Sequence, residues 1–423
     1  MLQLNFIKEN KELTVKALQK KHFKNAAEVV DQVLELDQNR KDCQQNLDDT
    51  LAQSNQLAKQ IGGLMKEGKK EEAEALKAKT ASLKVESKEL EENLKELETK
   101  LLDLMVTIPN LPHESVPEGR TPEENVTIYS QGEIPKLYDK AQPHWELIKK
   151  YDIIDFELGN KVAGAGFPFY KGKGAKIQRA LINFFLNEAE AAGYQEVQPP
   201  IVINAASGFG TGQLPDKEGQ MYHATADDLY LIPTAEVPIT NMYRDVILSE
   251  SELPVKNAAY TPCFRREAGS WGAHVRGLNR LHQFDKVEIV QVRKPEESYQ
   301  ALDEMVEHVK SLLTKLNLPF RILRLCGGDM GFTSALTFDF EVYSAAQERW
   351  LEVSSVSNFE TYQANRLKLR TKVDGKTQLL HTLNGSALAL PRILAAILEN
   401  NQTEEGINIP EVLQGFCGFK SIS

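Results

Sequence analysis

The chain has 423 residues, which exceeds the usual size of one hydrophobic core and predicts two domains. Charged residues make up 26% of the chain and hydrophobic residues 41%, a composition typical of soluble globular proteins. The net charge of −10 argues against an indiscriminate nucleic-acid binder, because phosphate contacts require clustered lysine and arginine side chains.

The first quarter of the chain has the sequence pattern of a coiled coil. Between Val29 and Met105 there is no proline, and leucine, glutamate, lysine, glutamine and alanine dominate. Two series of residues recur with the spacing of the a and d positions of a heptad repeat. The first series is Leu76, Leu83, Leu90, Leu97 and Leu104. The second series is Ala73, Thr80, Ser87, Leu94 and Leu101.

Gly68 lies between two halves of this stretch and gives the chain a place to reverse. Two helices of roughly 35 residues, at ~1.5 Å per residue, would form an antiparallel hairpin about 50 Å long. The alternative is a coiled coil between two chains, but the central glycine and the matched helix lengths favour a hairpin within one chain. We therefore predict a helical arm over residues 1–106, with its tip near 66–70.

The remaining residues divide into a short linker and one large domain. Residues 107–130 are rich in proline and polar residues, which predicts a linker. Residues 131–423 mix helical and strand-like stretches, a pattern typical of an α/β or α+β domain. The predicted strands are Ala258–Arg266, Leu281–Val292, Leu336–Tyr343 and Trp350–Val356. The predicted helices are Leu302–Leu316 and Arg392–Asn400.

Charged side chains cluster on two of the predicted strands. Because side chains alternate between the faces of a strand, Arg265 and Glu267 are expected on one face of the first. Phe284, Lys286 and Glu288 share one face of the returning strand in the same way. A charged face by itself is most often the solvent side of a sheet, so the pattern alone leaves both interpretations open.

Three other stretches carry candidate site residues. The same alternation places Thr234 and Glu236 on one face. Glu352 and Ser355 have opposite parity and could converge only if their strand bends or bulges. Arg392 is the only cation in an almost wholly apolar helix, and a buried charge without a partner is costly. It therefore requires an anion, which could be a structural carboxylate or a bound ligand.

These segments resemble seryl-tRNA synthetases of the bacterial type, and the resemblance extends along nearly the whole chain. Phe264–Ser270 and Arg280–Glu288 are similar to motif 2 of that family, which belongs to the class II aminoacyl-tRNA synthetases. Gly193–Ile203 resembles motif 1, which builds the dimer interface, and His381–Glu399 resembles motif 3. The resemblance implies an α+β fold in which 131–423 is the class II catalytic domain. That domain would contain an antiparallel sheet of roughly six to eight strands flanked by helices, preceded by an N-terminal antiparallel coiled-coil hairpin.

The resemblance also implies roles for individual residues. Arg265 and Arg392 would be catalytic, and guanidinium groups suit this role because they make paired hydrogen bonds to phosphate oxygens. The implied ATP-binding residues are Arg265, Arg266, Glu267, Arg280, Leu281, Phe284, Glu352, Val353, Ser354, Ser355 and Arg392. The implied serine-binding residues are Thr234, Ala235, Glu236, Arg265, Glu288, Asn384 and Ser386. Glu352 and Ser355 are also implied to bind Mg²⁺ together with the ATP phosphates.

The function implied by the resemblance is a two-step ligase reaction. L-serine and ATP would form seryl-adenylate, and the seryl group would pass to the 3′ end of tRNA(Ser), or of tRNA(Sec) where that is present. The enzyme would be a homodimer whose arm binds the tRNA across the dimer, since a rigid rod can read helical RNA by shape and backbone. The candidate phosphate contacts, each of which is individually more often a solvated helix charge, are Lys66, Lys69, Lys70, Lys77, Lys79 and Lys84.

Two other functions are compatible with parts of the sequence. One is a class II-like ligase that loads an amino acid onto a carrier protein, although the long hairpin argues against it. The other is a coiled-coil interaction protein with an inactive catalytic domain, although the complete set of candidate charged residues argues against that.

Several common patterns are missing from the sequence. There is no P-loop, Rossmann or serine-hydrolase motif. The four cysteines form no CxxC pair or zinc-like grouping, which argues against a disulfide framework and suits a reducing compartment. No segment has the apolar length of a signal peptide or a membrane span. We therefore expect a cytoplasmic protein without membrane contact.

Overall fold

The computed structural model describes residues 1–216, 218–267 and 275–423. Contacts within the chain define two compact units. The arm unit comprises residues 2–19 and 23–109, and the sheet unit comprises residues 1, 20–22 and the described part of 110–423. The end of the segment that resembles motif 2, from Ala268 to Ser270, lies outside the described residues.

The regular elements follow one another along the chain. The helices are α1 (Leu4–Glu9), α2 (Lys11–Lys20), α3 (Ala26–Lys66), α4 (Lys70–Met105), α5 (His144–Lys150), α6 (Phe156–Val162), α7 (Gly172–Ala191), α8 (Ala205–Thr211), α9 (Glu236–Asn241), α10 (Ser298–Lys315), α11 (Thr361–Leu367), α12 (Leu390–Asn400) and α13 (Glu411–Cys417). The strands are β1 (Val126–Gln131), β2 (Ile154–Asp155), β3 (Phe169–Tyr170), β4 (Gln195–Glu196), β5 (Val202–Ile203), β6 (His223–Ala224), β7 (Leu229–Leu231), β8 (Ile247–Leu248), β9 (Val255–Phe264), β10 (Gln283–Arg293), β11 (Phe320–Arg324), β12 (Leu336–Ser344), β13 (Arg349–Asn358), β14 (Arg370–Val373), β15 (Lys376–Leu379), β16 (His381–Ala389), β17 (Ile407–Asn408) and β18 (Ser421–Ile422).

Helices α3 and α4 form the predicted hairpin within one chain. The chain reverses between them at Gly68, whose φ of +78° is in the left-handed region that favours glycine. Every residue of the two predicted heptad series on α4 is buried or half-buried. Across the seam, the thiol of Cys43 on α3 lies 3.5 Å from the carbonyl oxygen of Leu90 on α4. The intrachain packing confirms the hairpin rather than the alternative of a coiled coil between chains.

An eight-stranded sheet organises the sheet unit. Its strand order is β1-β11-β12-β13-β16-β10-β9-β4, and all neighbours are antiparallel except β4 and β9. The buried faces of α7, α10 and α12 share one hydrophobic core with these strands. The predicted α+β class and the mostly antiparallel sheet are confirmed.

The prediction that Arg265 and Glu267 share a strand face is wrong. Strand β9 ends at Phe264, two residues before the predicted end at Arg266. Glu267 has a φ of +50°, so the backbone leaves the extended conformation here. Side chains alternate between faces only inside a strand. Arg265 and Glu267 follow the end of β9, so their directions depend on local contacts instead.

The prediction that Thr234 and Glu236 share the face of a strand is also wrong, because these residues do not lie on a strand. Strand β7 ends at Leu231, and Glu236 begins helix α9. The side chain of Thr234 nevertheless reaches residue 236, because the backbone N–H of Glu236 donates to Oγ1 of Thr234 at 3.2 Å. A tight turn into the helix, rather than a strand, brings them together.

Strand β13 contains the irregularity that Glu352 and Ser355 require. Glu352 pairs with Glu341 on β12, whereas Ser354 pairs with the preceding residue, Phe340. One extra residue, Val353, therefore lies on β13 without a counterpart, as in a β-bulge. The bulge shifts the alternation of side chains along β13 by one residue. Glu352 and Ser355 can therefore point to the same face of the sheet, as their predicted roles require.

Strand β1 pairs with β11, so residues 126–130 of the predicted linker belong to the sheet, and the domain boundaries remain a prediction. All four cysteines are free and buried. In the part of the chain that the structure describes, no helix is long and apolar enough to cross a membrane.

Replacement of Leu83 by alanine should destabilise the arm hairpin. Leu83 is 8% exposed in the seam, so its truncation leaves a cavity. Such a cavity costs about 2–3 kcal/mol in unfolding free energy. Val85→Ala is the matched control, because Val85 is 61% exposed on the same helix. Circular dichroism follows the helix content as the urea concentration rises. Helix loss should begin at a lower urea concentration for Leu83→Ala only, and identical unfolding curves for the two variants would contradict a buried seam.

Candidate active site

Neighbouring strands bring the predicted serine-binding residues together. Strands β10 and β16 are antiparallel, with Glu288 opposite Ser386 and Val290 opposite Asn384. Residues directly opposite each other in a sheet point to the same face, as do residues two positions apart on one strand. Glu288, Ser386 and Asn384 therefore face the same side of the sheet.

A pair of buried carboxylates occupies the centre of this group. Nδ2 of Asn384 donates to Glu236 at 2.8 Å and to Glu288 at 2.9 Å, so that one amide bridges both. The hydroxyl of Ser386 lies 3.4 Å from the second oxygen of Glu288. Glu236 is 6% exposed and Glu288 is fully buried. Two carboxylates in such a setting require several donors, because burying an unpaired charge is costly.

Two residues outside the predicted set supply the other donors. Lys286 forms an ion pair with Glu288 and donates to Oγ1 of Thr234 at 2.8 Å. Gln363 on α11 donates to Glu236 at 2.7 Å. The alternation of β10 already places Lys286 on the same face as Glu288, although Lys286 is not among the predicted serine-binding residues. No pattern in the sequence points to Gln363.

The environment of Glu236 changes its affinity for protons. Burial, and next the negative charge of Glu288, raise the pKa of Glu236 from its ordinary 4.5 to about 7. The hydrogen bond from Gln363 and the positive charges of Lys286 and Arg265 oppose this rise. The site can therefore gain or lose a proton at Glu236 near neutral pH.

The predicted nucleotide-binding residues lie where β9 ends and β10 begins. The guanidinium of Arg265 lies 5.2 Å from the centroid of the Phe284 ring, and its Nε is 3.4 Å from the carbonyl oxygen of Pro233. Arg280 forms an ion pair with Glu267. A cation next to an aromatic face offers contacts for a phosphate and for a flat base side by side.

Other members of the predicted ATP and serine sets are buried or bonded to other parts of the chain. The backbone N–H of Arg266 donates to the carbonyl oxygen of Gln220 at 2.8 Å. The buried side chains are those of Ala235, Leu281, Val353 and Ser354. The hydroxyl of Ser354 donates to the carbonyl oxygen of Ser386 at 2.6 Å.

Arg392, in the first turn of α12, is half-buried and has polar partners. Its Nε donates to the carbonyl oxygen of Asn279 at 3.0 Å, and its Nη1 donates to the carbonyl oxygen of Glu352 at 2.7 Å. The same Nη1 lies 3.7 Å from the carboxylate of Glu352. Glu352 is thus the anion that the apolar helix predicts for Arg392, and the arginine remains partly open to solvent.

An acidic residue absent from the predicted set lies beside Ser355. The hydroxyl of Ser355 donates to Asp339 on β12. Burial, and next the negative charge of Glu352, raise the pKa of Asp339 well above its ordinary value. Among the described residues, no group of three or more His, Cys, Asp or Glu side chains could hold a metal ion. A cation bound here would therefore need oxygen ligands from a substrate or from water.

Comparison with known proteins relates both units to one enzyme family. Residues 221–401 match the class II core domain of tRNA synthetases (G, H, P, S and T), and residues 1–112 match the seryl-tRNA synthetase N-terminal domain. A serine–tRNA ligase of Salinibacter ruber is 50% identical over 425 residues, which cover 100% of this chain and 99% of the relative. The chain belongs to the seryl-tRNA synthetase family.

Further members of the seryl-tRNA synthetase family agree along the full length. A serine–tRNA ligase of Caldicellulosiruptor bescii is 48% identical over 421 residues, covering 99% of each protein. The crystal structure of a seryl-tRNA synthetase from Pyrococcus horikoshii, complexed with ATP, superposes with a TM-score of 0.93 at 32% identity. That alignment covers 100% of this chain and 99% of the other. The family resemblance is confirmed, and the protein is an aminoacyl-tRNA synthetase, an ATP-dependent ligase.

Replacement of Glu236 by glutamine should change how stability depends on pH. The raised pKa means that folded Glu236 keeps a proton that the unfolded chain releases. The stability from this group is complete below about pH 4.5 and is lost as the pH rises through about 7. Glutamine cannot ionise, so the melting temperature of the variant relative to wild type should be higher at pH 8 than at pH 5.

Thermal unfolding without serine or ATP measures this difference. Glu307→Gln is the control, because the Glu307 side chain is 66% exposed and pairs only with a neighbouring lysine on the same helix. Its melting temperature relative to wild type should stay nearly constant over this range. A Glu236→Gln difference that is equally constant would show that the pKa of Glu236 is not raised.

Proposed function

We propose that this synthetase attaches L-serine to tRNA(Ser), and to tRNA(Sec) where that tRNA is present. Serine and ATP would first form seryl-adenylate and pyrophosphate, and the 3′ end of the tRNA would then accept the seryl group. One observation carries the proposal. In a chain of the seryl-tRNA synthetase family, the bridged carboxylates of Glu236 and Glu288 are buried beside Thr234 and Ser386.

The carboxylate pair suits the hydrogen-bonding groups of serine. The ammonium group and the hydroxyl of serine are both donors, and ionised carboxylates are acceptors. If the hydroxyl binds Glu236 or Glu288, alanine and glycine leave a buried acceptor unpaired, and they should be rejected by roughly 10⁴-fold. Threonine keeps the hydroxyl, so only its additional methyl group can exclude it, which is a weaker barrier.

The ATP would bind where β9 and β10 meet. In this proposal Arg265 contacts the α-phosphate, Arg280 reaches the terminal phosphate, Phe284 stacks on the adenine and Glu267 accepts from its amino group. The serine carboxylate attacks the α-phosphorus, and pyrophosphate leaves. No general base is needed because this carboxylate is already ionised. Arg265 and Arg392 position the phosphates and stabilise the negative charge that develops on them.

Mg²⁺ would bind with the ATP phosphates at Glu352 and Ser355. Mg²⁺ usually takes one or two protein oxygens and completes its shell with phosphate and water. The exposed carboxylate of Glu352, together with Ser355 and its partner Asp339, fits this preference for oxygen ligands. When bound, the ion would neutralise phosphate charge, while the hydrogen bond to Asp339 orients the Ser355 hydroxyl.

The arm hairpin would bind the tRNA. The match of residues 1–112 to the seryl-tRNA synthetase N-terminal domain supports this role and argues against a carrier protein as the acceptor. The proposed phosphate contacts are exposed side chains near the turn and along α4, namely Lys66, Lys69, Lys70, Lys77, Lys79 and Lys84. They would concentrate positive charge locally in a chain whose net charge is −10.

The protein would act as a homodimer in the cytoplasm. The segment that resembles motif 1 exposes two apolar side chains, Ile201 at 39% and Val202 at 40%. Apolar side chains on the surface of such a segment suit contact with a second copy. The four free cysteines suit a reducing compartment.

Amino-acid-dependent ATP–pyrophosphate exchange tests the first step. We expect exchange with serine, and none above background with alanine, glycine or cysteine, while threonine shows at most weak exchange. Arg265→Ala should lower the rate by at least about 100-fold, because it removes a charge that stabilises the transition state. The control Arg370→Ala lies on a small separate sheet and should exchange normally. Exchange with another amino acid but not with serine would overturn the proposed pocket.

Replacing residues 29–105 with a short glycine-serine linker tests the arm. The active-site residues all lie in the sheet unit, so serine-dependent exchange should continue. Charging of tRNA(Ser) should fall by at least about 100-fold, because the loss of several phosphate contacts weakens RNA binding. Exchange serves as the internal control for a folded catalytic domain. Normal charging by this variant would contradict a tRNA-binding role for the arm.

A further inference from the structure

The segment just before Arg280 packs closely on the first residue of α5, His144. The chain turns at Gly277 with a φ of +67°, and a Cβ at this position would overlap the His144 ring. The next backbone N–H, that of Leu278, donates to Nε2 of His144 at 2.8 Å. His144 is fully buried. One imidazole nitrogen thus holds the backbone of residues 277–278 in place.

The other imidazole nitrogen is held from behind. Nδ1 of His144 lies 2.7 Å from Glu399 at the C-terminal end of α12, and the backbone N–H of His144 donates to the same oxygen at 2.8 Å. Ser344 and Gln347 also donate to the Glu399 carboxylate. Because Nε2 accepts from a backbone N–H, the ring proton lies on Nδ1 and is donated to Glu399.

Hydrogen bonds also connect the surroundings of His144 to Arg392, the second arginine proposed to bind ATP. Nδ2 of Asn279 donates to Oε1 of Gln347 at 3.0 Å, and Gln347 in turn donates to Glu399. The carbonyl oxygen of Asn279 accepts from Nε of Arg392 at 3.0 Å. The position of this carbonyl therefore depends on the contacts that fix residues 277–279.

Neighbouring contacts strengthen the same junction. The guanidinium of Arg276 lies 4.9 Å from the centroid of the Trp145 ring and 3.2 Å from the carboxylate of Glu146. The first three residues of α5 thus contact residues 276–278 of the returning segment.

We infer that His144 is a positioning residue for ATP, acting with Gln347 and Glu399 through the backbone of residues 277–279. This inference rests on the proposed roles of Arg280 and Arg392 in binding the phosphates. Arg280 follows the held segment directly, and Arg392 is held by the Asn279 carbonyl. A small displacement of the segment would move both arginines at once, and misplacement by ~1 Å can cost up to about 100-fold in rate. Other contacts hold the proposed serine pocket, so the affinity for serine should be unaffected.

Two substitutions of His144 separate its two hydrogen bonds. His144→Gln can still place an acceptor near the Leu278 N–H, whereas His144→Asn can still donate to Glu399 but loses that acceptor. In ATP–pyrophosphate exchange with the full-length enzyme, we expect the KM for ATP to rise about tenfold for Asn and less than about threefold for Gln. The KM for serine should stay within about twofold in both. His308→Asn, on α10 beside Tyr194, is a control that should leave the KM for ATP unchanged.

The possible outcomes distinguish this inference from the proposed function. An unchanged KM for ATP in His144→Asn, or equal defects in both variants and in both substrates, would overturn the positioning role. That result would leave the function intact if wild type exchanges with serine and Arg265→Ala does not. If His144→Asn fails to fold, Gln347→Ala replaces it, since Gln347 is half-buried and links Asn279 to Glu399. A selective rise in the KM for ATP is expected there too, and its absence would overturn the inference.

Discussion

The burial of two carboxylates side by side is the constraint on which the candidate active site depends. Glu236 and Glu288 repel each other and have lost most of their hydration, so each must be stabilised by donors from the surrounding protein. Lys286, Asn384 and Gln363 provide those donors from two strands and a helix. These donors can meet only if the strands keep one register, and the pocket is therefore as rigid as the sheet that contains it.

The two arginines proposed to act in catalysis are held differently from the carboxylates. Their guanidinium groups are oriented mainly by main-chain carbonyl oxygens, those of Pro233 for Arg265 and of Asn279 and Glu352 for Arg392. A carbonyl group orients a cation without cancelling its charge. For Arg392, the carboxylate of Glu352 lies 3.7 Å from Nη1 as well and offsets part of the charge. The conformation of short loop segments thus contributes to the positions of both arginines. This is why the packing of residues 277–279 on His144 matters to the site.

Part of the site could be read from the sequence and part could not. Alternation along β10 places Phe284 and Glu288 on one face, because the pairing of β10 with β9 is uninterrupted from Gln283 to Val292. The same rule fails for Arg265 and Glu267, which follow the end of a strand. It would also have separated Glu352 from Ser355 without the bulge between them. The alternation of side chains predicts their faces only where the hydrogen bonds between neighbouring strands are uninterrupted. Several residues of the candidate site lie where a strand ends or bulges.

The sequence by itself determined the hairpin, the fold class and the family, because heptad spacing, strand patterns and motif residues are local properties of the chain. Only the tertiary structure decided which donors surround the carboxylates. Gln363 and Asp339 reach the site from elements that carry no motif, and Asn279 holds Arg392 from 113 residues away along the chain. Such contacts are set by sheet order and loop packing. Both depend on long-range pairing that no short stretch of sequence encodes.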